Sequence, residues 1–323
     1  MKILITGGAG FIGYHLSKHL ADRGDDVVIC DNFVRGKKDA ELNELLNRSN
    51  VNLIECDLSN PLNLEKIGSG YDYIYHMASI NHTGLFYKIP DEILRVGILT
   101  SINILDWMKS KNKEGKIMFT SSNEAYAGAL HSFDKLLIPT PENVPLVISD
   151  TYNPRWSYAG TKLIGELLFI NYAKVHNFRM SIVRPHNFYG PRAGAGHVIP
   201  DFIERILAKE SPFNIYGAKD TRSFCYIDDA IEQITAVMES CKTDGETIHL
   251  GNSEEILIED LAKLLFKIAG YNQEIIIHDS PIGSVKRRCS DLSKLYDLLG
   301  IKAKIGLEEG LLRTINWYKN NMN

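Results

Sequence analysis

The chain has 323 residues, with 36 lysines and arginines against 40 aspartates and glutamates and a formal net charge of -4. Hydrophobic residues make up 44% and charged residues 24%, ordinary values for a globular protein that exclude a mainly disordered chain. The slightly acidic balance argues against a basic phosphate-backbone surface, so we expect no nucleic-acid partner.

The five cysteines are scattered, odd in number and without a CxxC pair. This pattern indicates neither a disulfide framework nor a zinc site, so we expect reduced thiols and no metal. The N-terminus runs from an apolar strand directly into glycine, unlike a signal peptide. No apolar run approaches the roughly 18 residues that span a bilayer. We therefore expect a cytoplasmic protein without a membrane partner.

Short apolar runs alternate with helical patterns through the first half of the chain. This alternation predicts an α/β protein with a parallel sheet covered by helices on both faces. The predicted strands are 2–6, 26–30, 51–56, 72–76, 116–120 and 179–184. The predicted helices are 11–23, 38–47, 91–109 and 157–176. The proline-bearing stretch 128–150 is predicted to be irregular.

The pattern loosens after Pro185, where loops separate shorter elements. Helices are predicted at 199–209, 228–241, 258–269, 292–299 and 307–320, and strands at 213–216 and 274–278. We predict a first domain at 1–184, to which later segments return. A smaller lobe is built mainly from 185–323.

A glycine-rich segment from Gly7 to Gly13 ends the first strand and opens the first helix. Gly7 and Gly10 allow a tight turn close to a pyrophosphate at the helix N-terminus, and Gly13 allows close packing on the sheet. Asp31 ends the second strand, where a carboxylate can bond an adenosine ribose and repels a 2′-phosphate. A glycine turn beside a solvated aspartate is the alternative. The strand–turn–helix context favours a dinucleotide site for NAD.

Two other strand ends supply candidate cofactor contacts. Asp57 and Leu58 follow the third strand, where a carboxylate can bond the adenine amine. Asp57 equally suits a helix N-cap before Pro61. Met77, Ala78 and Ser79 follow the fourth strand, at the sheet edge along which the cofactor must pass.

Tyr158 and Lys162 are four residues apart on a predicted helix, so their side chains project from one face. An ammonium beside a phenol lowers the tyrosine pKa from about 10 and makes a general base. The same ammonium can hold the nicotinamide ribose. This spacing alone is common by chance. Here it follows a dinucleotide fold and the hydroxyl-bearing residues 120–122 at the end of the fifth strand.

With these features the chain resembles the extended short-chain dehydrogenase/reductase family of NAD-dependent nucleotide-sugar epimerases, dehydratases and decarboxylases. The resemblance covers nearly the whole chain. It implies a Rossmann-type doubly wound parallel sheet with a smaller α/β substrate-binding lobe. It also implies bound NAD and a nucleotide-diphosphate sugar as substrate. Besides the glycine loop it rests on the segments 122–126, 158–162, 184–191 and 222–229.

The resemblance implies that Ser122 bonds the sugar oxygen that is oxidised, with Tyr158 as the base and Lys162 adjusting it. The first step would remove the C4 hydroxyl proton while hydride passes to NAD, giving a 4-keto sugar. The implied cofactor-binding residues are Gly7, Gly10, Phe11, Ile12, Gly13, Asp31, Asn32, Asp57, Leu58, Met77, Ala78, Ser79, Tyr158, Lys162 and Pro185.

For the substrate, the resemblance implies that Asn187 touches the sugar or its diphosphate and that Val198 and Phe202 lie beside the nucleotide base. Arg222 and Arg288 correspond to diphosphate-binding arginines, a role that suits the guanidinium fork. The alternative for Arg288 is a solvated run of charges at 286–288.

Several positions depart from the family pattern. His82 and His186 are unusual and could reach the pocket, with a hydrogen-bonded loop role as the alternative. Gly97 replaces a common asparagine. Glu124, as in the dehydratase and decarboxylase branches, could take the C5 proton that a 4-ketone acidifies. Asn123 replaces the dehydratase aspartate, and an amide cannot protonate a leaving oxygen.

We therefore predict an NAD-dependent enzyme that oxidises C4 of a nucleotide sugar, with epimerisation or release of the 4-keto sugar as the net outcome. Decarboxylation of a uronate, as in UDP-xylose synthases, is the next alternative, followed by 4,6-dehydration. A non-catalytic NAD(H)-binding regulator is disfavoured because Tyr158 and Lys162 are both present. An NADP reductase is disfavoured by Asp31.

Two predicted helices, 91–109 and 157–176, are apolar on more than one face. A helix of this kind is buried on both sides, and the sheet covers only one of them. We therefore expect a homodimer or a dimer of dimers, as the four-helix interface of the family implies.

Overall fold

The structure is a computed structural model that describes residues 1–133, 136–194, 196–280 and 284–321. The helices are α1 Phe11–Asp22, α2 Ala40–Leu46, α3 Thr83–Lys88, α4 Pro90–Lys111, α5 Ala127–Ser132, α6 Trp156–His176, α7 Val198–Leu207, α8 Ile227–Glu239, α9 Ile258–Ala269, α10 Ser293–Leu299 and α11 Leu307–Asn321. The strands are β1 Lys2–Thr6, β2 Asp26–Asp31, β3 Val51–Glu55, β4 Tyr73–His76, β5 Lys116–Thr120, β6 Arg179–Pro185, β7 Phe188–Tyr189, β8 Phe213–Tyr216, β9 Thr221–Ser223, β10 Cys225–Tyr226, β11 Thr247–Leu250, β12 Glu255–Leu257, β13 Ile275–His278 and β14 Arg287–Arg288.

The chain divides into two units. The first comprises Met1–Ala125, Asp150–Arg184 and Ile231–Ile248. The second comprises Tyr126–Ser149, Pro185–Ala230 and the described chain from His249 onward. The segment 126–149, which the sequence placed in the first domain, therefore groups with the second unit.

The predicted doubly wound sheet is confirmed. Within the described residues, seven strands form one sheet in the order β11-β6-β5-β4-β1-β2-β3. The pairs β1–β2, β2–β3, β1–β4, β4–β5 and β5–β6 are all parallel. The strand order reverses at β1 and β4, and in sheets of this type ligands bind at the carboxyl ends beside such a reversal.

The core of the first unit contains an aromatic stack beneath the end of β4. Phe119 and Phe169 stack with ring centroids 4.5 Å apart, and the ring of His76 stacks with both. His76 also shares a 2.9 Å hydrogen bond between its Nδ1 and Thr6 Oγ1. Complete burial lowers the pKa of His76 to about 3, so the ring stays neutral. This stack joins β1, β4, β5 and α6.

Glycines allow α6 to lie close to both β5 and α4. A Cβ atom on Gly165 would lie 2.2 Å from the Phe119 ring, and one on Gly97 would lie 2.7 Å from the Thr161 side chain. The departure at Gly97 thus has a physical reason: the side chain of Thr161 occupies the space that an asparagine would need.

Some predicted elements were wrong or missing. The segment 128–150 is not irregular throughout, because α5 occupies Ala127–Ser132; it is too short for a periodic pattern to reveal. Strand β11 was missed, although it extends the main sheet. Most other boundaries differ by one or two residues.

Among the described residues, no helix combines the length and apolar character that crossing a membrane requires.

Replacing Gly165 with alanine is expected to lower the free energy of unfolding by about 1–3 kcal/mol, because the added methyl group overlaps the Phe119 ring. Gly160→Ala, on the same helix, is the matched control, since its Cβ would only touch Leu94 at 3.8 Å. That change should stabilise the helix by up to about 1 kcal/mol. Urea denaturation measures both, and equal effects would contradict this account of the packing.

Candidate active site

The glycine loop forms a backbone cradle at the N-terminus of α1. Gly7 has a φ of +71°, and a Cβ there would lie 2.9 Å from the Ala78 nitrogen. A Cβ on Gly13 would lie 2.3 Å from the Gly7 carbonyl oxygen. Side chains at these positions would therefore clash with the neighbouring backbone, so the tight turn requires glycine. An open cradle at a helix N-terminus fits the pyrophosphate of a dinucleotide.

Asp31 connects this cradle to the end of β2. Its Oδ2 accepts a hydrogen bond from the Ala9 N–H at 3.0 Å, and its Oδ1 accepts one from the Phe33 N–H at 2.8 Å. A carboxylate has about four acceptor positions, so it can also accept a bond from a ribose hydroxyl. The residues present thus fit the predicted NAD.

The other predicted cofactor contacts lie along the same edge of the sheet. Thr6 Oγ1 accepts bonds from the N–H groups of Met77 and Ala78 at 3.2 and 3.3 Å, which fixes the segment after β4. Asp57 does not cap the helix near Pro61. Its Oδ1 accepts from the Ser59 N–H, and Asn60 provides the cap.

The reacting side chains predicted from the sequence converge in the first unit. The hydroxyls of Ser122 and Ser79 lie close enough to the Tyr158 phenol to lower its pKa. Lys162 Nζ donates to the Thr120 carbonyl at 2.8 Å and lies 5.3 Å from the centroid of the Tyr158 ring. The Tyr158 ring also stacks on Phe86, with centroids 5.1 Å apart. The sequence did not predict that aromatic support.

The pKa values of Tyr158 and Lys162 differ from the simple expectation. Burial raises the pKa of Tyr158, and the hydrogen bonds from Ser122 and Ser79 oppose this only in part. Burial lowers the pKa of Lys162 to about 7, opposed by the carboxylate of Glu166. The expectation that Lys162 brings the Tyr158 pKa down from its ordinary value is therefore wrong for this structure, because the cost of burying the phenolate dominates.

A buried ion pair beneath these residues escaped the sequence interpretation. Arg184 donates to both carboxylate oxygens of Glu166 at 2.8 Å. Ser121 Oγ donates to the same carboxylate at 2.5 Å. Glu166 follows Lys162 by four residues on α6, and this spacing on one helix face was the available signal.

Glu124 lies beside the Ser122 hydroxyl, which the sequence predicts to contact the substrate. Its backbone N–H donates to Ser122 Oγ at 3.1 Å. One of its carboxylate oxygens lies 3.5 Å from Nη2 of Arg155, the residue before α6. Asn123 is buried and accepts a 3.4 Å bond from Ser122 Oγ through its amide oxygen.

In the second unit, the two predicted diphosphate ligands are neighbours. Arg288 on β14 is in register with Arg222 on β9. Arg288 is only 6% exposed, so the alternative of a solvated charge run is wrong for this residue, although it holds for Arg287. Asn187 has a φ of +42° and donates from Nδ2 to the Ser223 carbonyl at 2.9 Å.

The remaining residues that were considered for substrate binding make defined contacts within the protein. Phe202 is buried against Phe213, with ring centroids 5.4 Å apart, whereas Val198 begins α7 and is half-buried. His82 caps α3 by accepting the Gly84 N–H at Nδ1. His186 shares a buried 2.9 Å hydrogen bond with the Tyr126 hydroxyl. The loop roles considered for the two histidines are thus present.

Comparison with known proteins places these features in a family. The model of the NAD-dependent epimerase/dehydratase family matches residues 3–251. The chain belongs to this family. The resemblance to extended short-chain dehydrogenases/reductases is confirmed, and the protein is an NAD-dependent enzyme of the nucleotide-sugar epimerase, dehydratase and decarboxylase class.

Similar family members act on different sugars. UDP-N-acetyl-alpha-D-glucosaminuronate decarboxylase of Bacillus cytotoxicus is 31% identical, with 98% of each chain covered. UDP-glucose 4-epimerase of Thermotoga maritima, solved with UDP-glucose, is 29% identical over 100% of both chains, with a TM-score of 0.87. UDP-glucuronic acid 4-epimerase of Bacillus cereus, solved with UDP-glucuronic acid and NAD, is 28% identical over 99% of both, with a TM-score of 0.85.

The lowered pKa of Lys162 predicts a pH-dependent affinity of this family member for NAD. The lysine loses its proton as the pH rises through about 7. If the bound cofactor favours the ammonium, affinity should fall above that pH, by at most about tenfold per pH unit. Calorimetric titration from mildly acidic to alkaline pH measures this dependence. Lys162→Met should bind more weakly with a flatter pH profile, and identical slopes in both proteins would contradict the assignment.

Proposed function

We propose that the protein oxidises C4 of a nucleotide-diphosphate sugar to a 4-keto sugar, with epimerisation or release of the keto sugar as the net outcome. The observation that carries this proposal is the convergence of Ser122, Tyr158 and Lys162 in the unit that holds the glycine cradle. This proximity supports a site in which a proton acceptor and a stabilising cation act together. Accepting the C4 hydride is the chemistry that NAD supplies when bound.

In this mechanism Tyr158 takes the proton from the C4 hydroxyl. The Ser122 hydroxyl, which lies close enough to the phenol to lower its pKa, bonds the same sugar oxygen and orients it. Lys162 is anchored by the Thr120 carbonyl at 2.8 Å, and its ammonium stabilises the phenolate when protonated. An epimerisation would be completed if the keto sugar rotates in the site, C4 regains the hydride on its opposite face, and Tyr158 returns the proton to the oxygen. Return of that hydride is the chemistry that the reduced cofactor would supply.

The sugar nucleotide needs a separate binding surface for its two phosphates. Arg222 and Arg288 are register neighbours on β9 and β14, and their planar guanidinium groups suit paired phosphate oxygens. We assign the diphosphate to this pair. A net charge of -4 does not argue against this assignment, because two arginines at one site can bind a diphosphate whatever the charge of the rest of the chain.

Decarboxylation of a uronate is the second candidate. Glu124 supports it by its position two residues after Ser122, and a uronate decarboxylase is among the similar proteins. A 4-keto uronate is a β-keto acid, which loses carbon dioxide without an acid catalyst at C6. Dehydration across C5 and C6 is less well supported, since Asn123 carries an amide that cannot protonate the leaving oxygen.

Tyr158→Phe is expected to lower kcat at least about 100-fold, because the proton acceptor is removed while the ring packing on Phe86 is retained. Tyr152→Phe is the matched control, since Tyr152 is 96% exposed. A panel of UDP-, GDP-, dTDP- and CDP-sugars is assayed by NADH absorbance and by liquid chromatography with mass spectrometry, in which chromatography separates epimers of equal mass. Retention of most of the turnover in Tyr158→Phe would refute this mechanism.

We also propose a homodimer formed through the outer faces of α4 and α6, which pack against each other. Leu94, Leu167 and Ile170 expose 36%, 55% and 40% of their surfaces there. These apolar side chains on adjacent helices would be covered by the same helices of a second copy, giving four helices at the interface.

Light scattering at micromolar concentration should therefore report a dimer or a dimer of dimers. The double variant Leu167→Glu/Ile170→Glu should be monomeric, since charges would enter the interface. Leu312→Glu, at a 47% exposed position on α11, serves as the control and should keep the native mass. A monomeric unmodified protein would exclude this interface.

A further inference from the structure

A loosely held cation lies beside the reacting groups. The Nη2 atom of Arg155 is 3.5 Å from Glu124 Oε2, and the two side chains are 15% and 19% exposed. Nε of Arg155 is buried and has no hydrogen-bond partner within the described part of the chain. By contrast, Arg184 donates two hydrogen bonds of 2.8 Å to the Glu166 carboxylate. Arg155 therefore has donor capacity that its contact with Glu124 does not use.

The position of Arg155 is not explained by helix stability. It is the residue immediately before α6, and the first turn of that helix contains no acidic residue. The helix dipole favours anions at an N-terminus, so a cation there is electrostatically unfavourable. A guanidinium held at such a point is suited to attract an anion that enters the site.

The geometry limits which part of a sugar nucleotide could supply that anion. Tyr158, the proposed base at C4, lies three residues after Arg155, and the backbone N–H of Glu124 donates to Ser122 Oγ at 3.1 Å, which places Glu124 beside the proposed C4 site. C6 of a hexose is two bonds from C4, whereas the diphosphate is attached at C1, across the ring. A guanidinium beside Glu124 and Tyr158 is therefore better placed to bind a substituent at C6 than to bind the phosphates.

Charge balance decides what that substituent can be. A C6 carboxylate approaching Glu124 alone would meet a like charge in a partly buried site, which is unfavourable. With Arg155 between them, the guanidinium fork can contact both carboxylates. A neutral C6 hydroxymethyl group neither needs this cation nor uses it. Arg155 thus distinguishes charged from neutral C6 groups.

We infer that Arg155 is a specificity-determining residue that admits a nucleotide-diphosphate uronate by binding its C6 carboxylate beside Glu124. This inference rests on the proposed C4 oxidation and adds the class of sugar. The uronate carboxylate contacts the guanidinium N–H groups other than the buried Nε, while Glu124 keeps its contact.

The test compares UDP-glucuronate with UDP-glucose, which differ only at C6. Unmodified protein should prefer UDP-glucuronate. In Arg155→Gln, the ratio of kcat/KM for glucuronate over glucose should fall by about 10- to 100-fold, mainly through KM, as expected for loss of a charge-assisted contact. Arg155→Lys should keep part of the preference because it keeps the charge but not the fork. Arg95→Gln, at an exposed arginine of α4 paired with Glu92, is the control and should leave the ratio unchanged.

A double variant separates substrate binding from a structural role. Adding Glu124→Gln to Arg155→Gln removes the repelling carboxylate, so KM for UDP-glucuronate should recover in part. Urea denaturation and NAD affinity verify that each variant folds. An unchanged ratio in Arg155→Gln, or a preference of the unmodified protein for UDP-glucose, would overturn the inference.

The outcomes also separate this inference from the proposed function. If UDP-glucuronate is not turned over while another nucleotide sugar of the panel reduces NAD, the inference is overturned and the C4 oxidation stands. If no sugar of the panel reduces NAD or is converted, the proposed function itself fails.

Discussion

The arrangement of the reacting groups depends on the close approach of α6 to β5. Gly165 leaves room for the Phe119 ring, and Glu166 joins the helix to both Ser121 and Arg184 through buried hydrogen bonds. Breaking a buried ion pair by removing one partner typically costs about 3–5 kcal/mol, because the remaining charge stays in the interior. This connection places the helix that carries Tyr158 and Lys162 against the strand that leads to Ser122. The same carboxylate favours the charged form of Lys162.

Burial gives the site its electrostatic character. Both Tyr158 and Lys162 are almost fully covered, and in each the charged form is disfavoured by desolvation. The ionisation of Tyr158 and Lys162 therefore depends on the few polar groups that oppose desolvation, namely Ser122 and Ser79 for the tyrosine and Glu166 for the lysine.

Much of the fold could be predicted from the sequence, because parallel strands buried on both faces leave continuous apolar runs such as Ile3–Ile5. The short strand β11 could not, since its pairing with β6 depends on residues distant in the chain. The glycine cradle and the Tyr158–Lys162 pair have fixed local spacing. The contacts of Glu166 with Arg184 and of Glu124 with Arg155 join separate segments, so only the folded chain brings them together.

The central claim is that hydride leaves C4 of the sugar. Stopped-flow absorbance of the NAD-loaded protein, mixed with the sugar nucleotide that the panel identifies, tests it directly. The account predicts a transient NADH signal that forms more slowly when C4 carries deuterium. Product formation with no transient NADH, and at the same rate from the deuterated sugar, would contradict it.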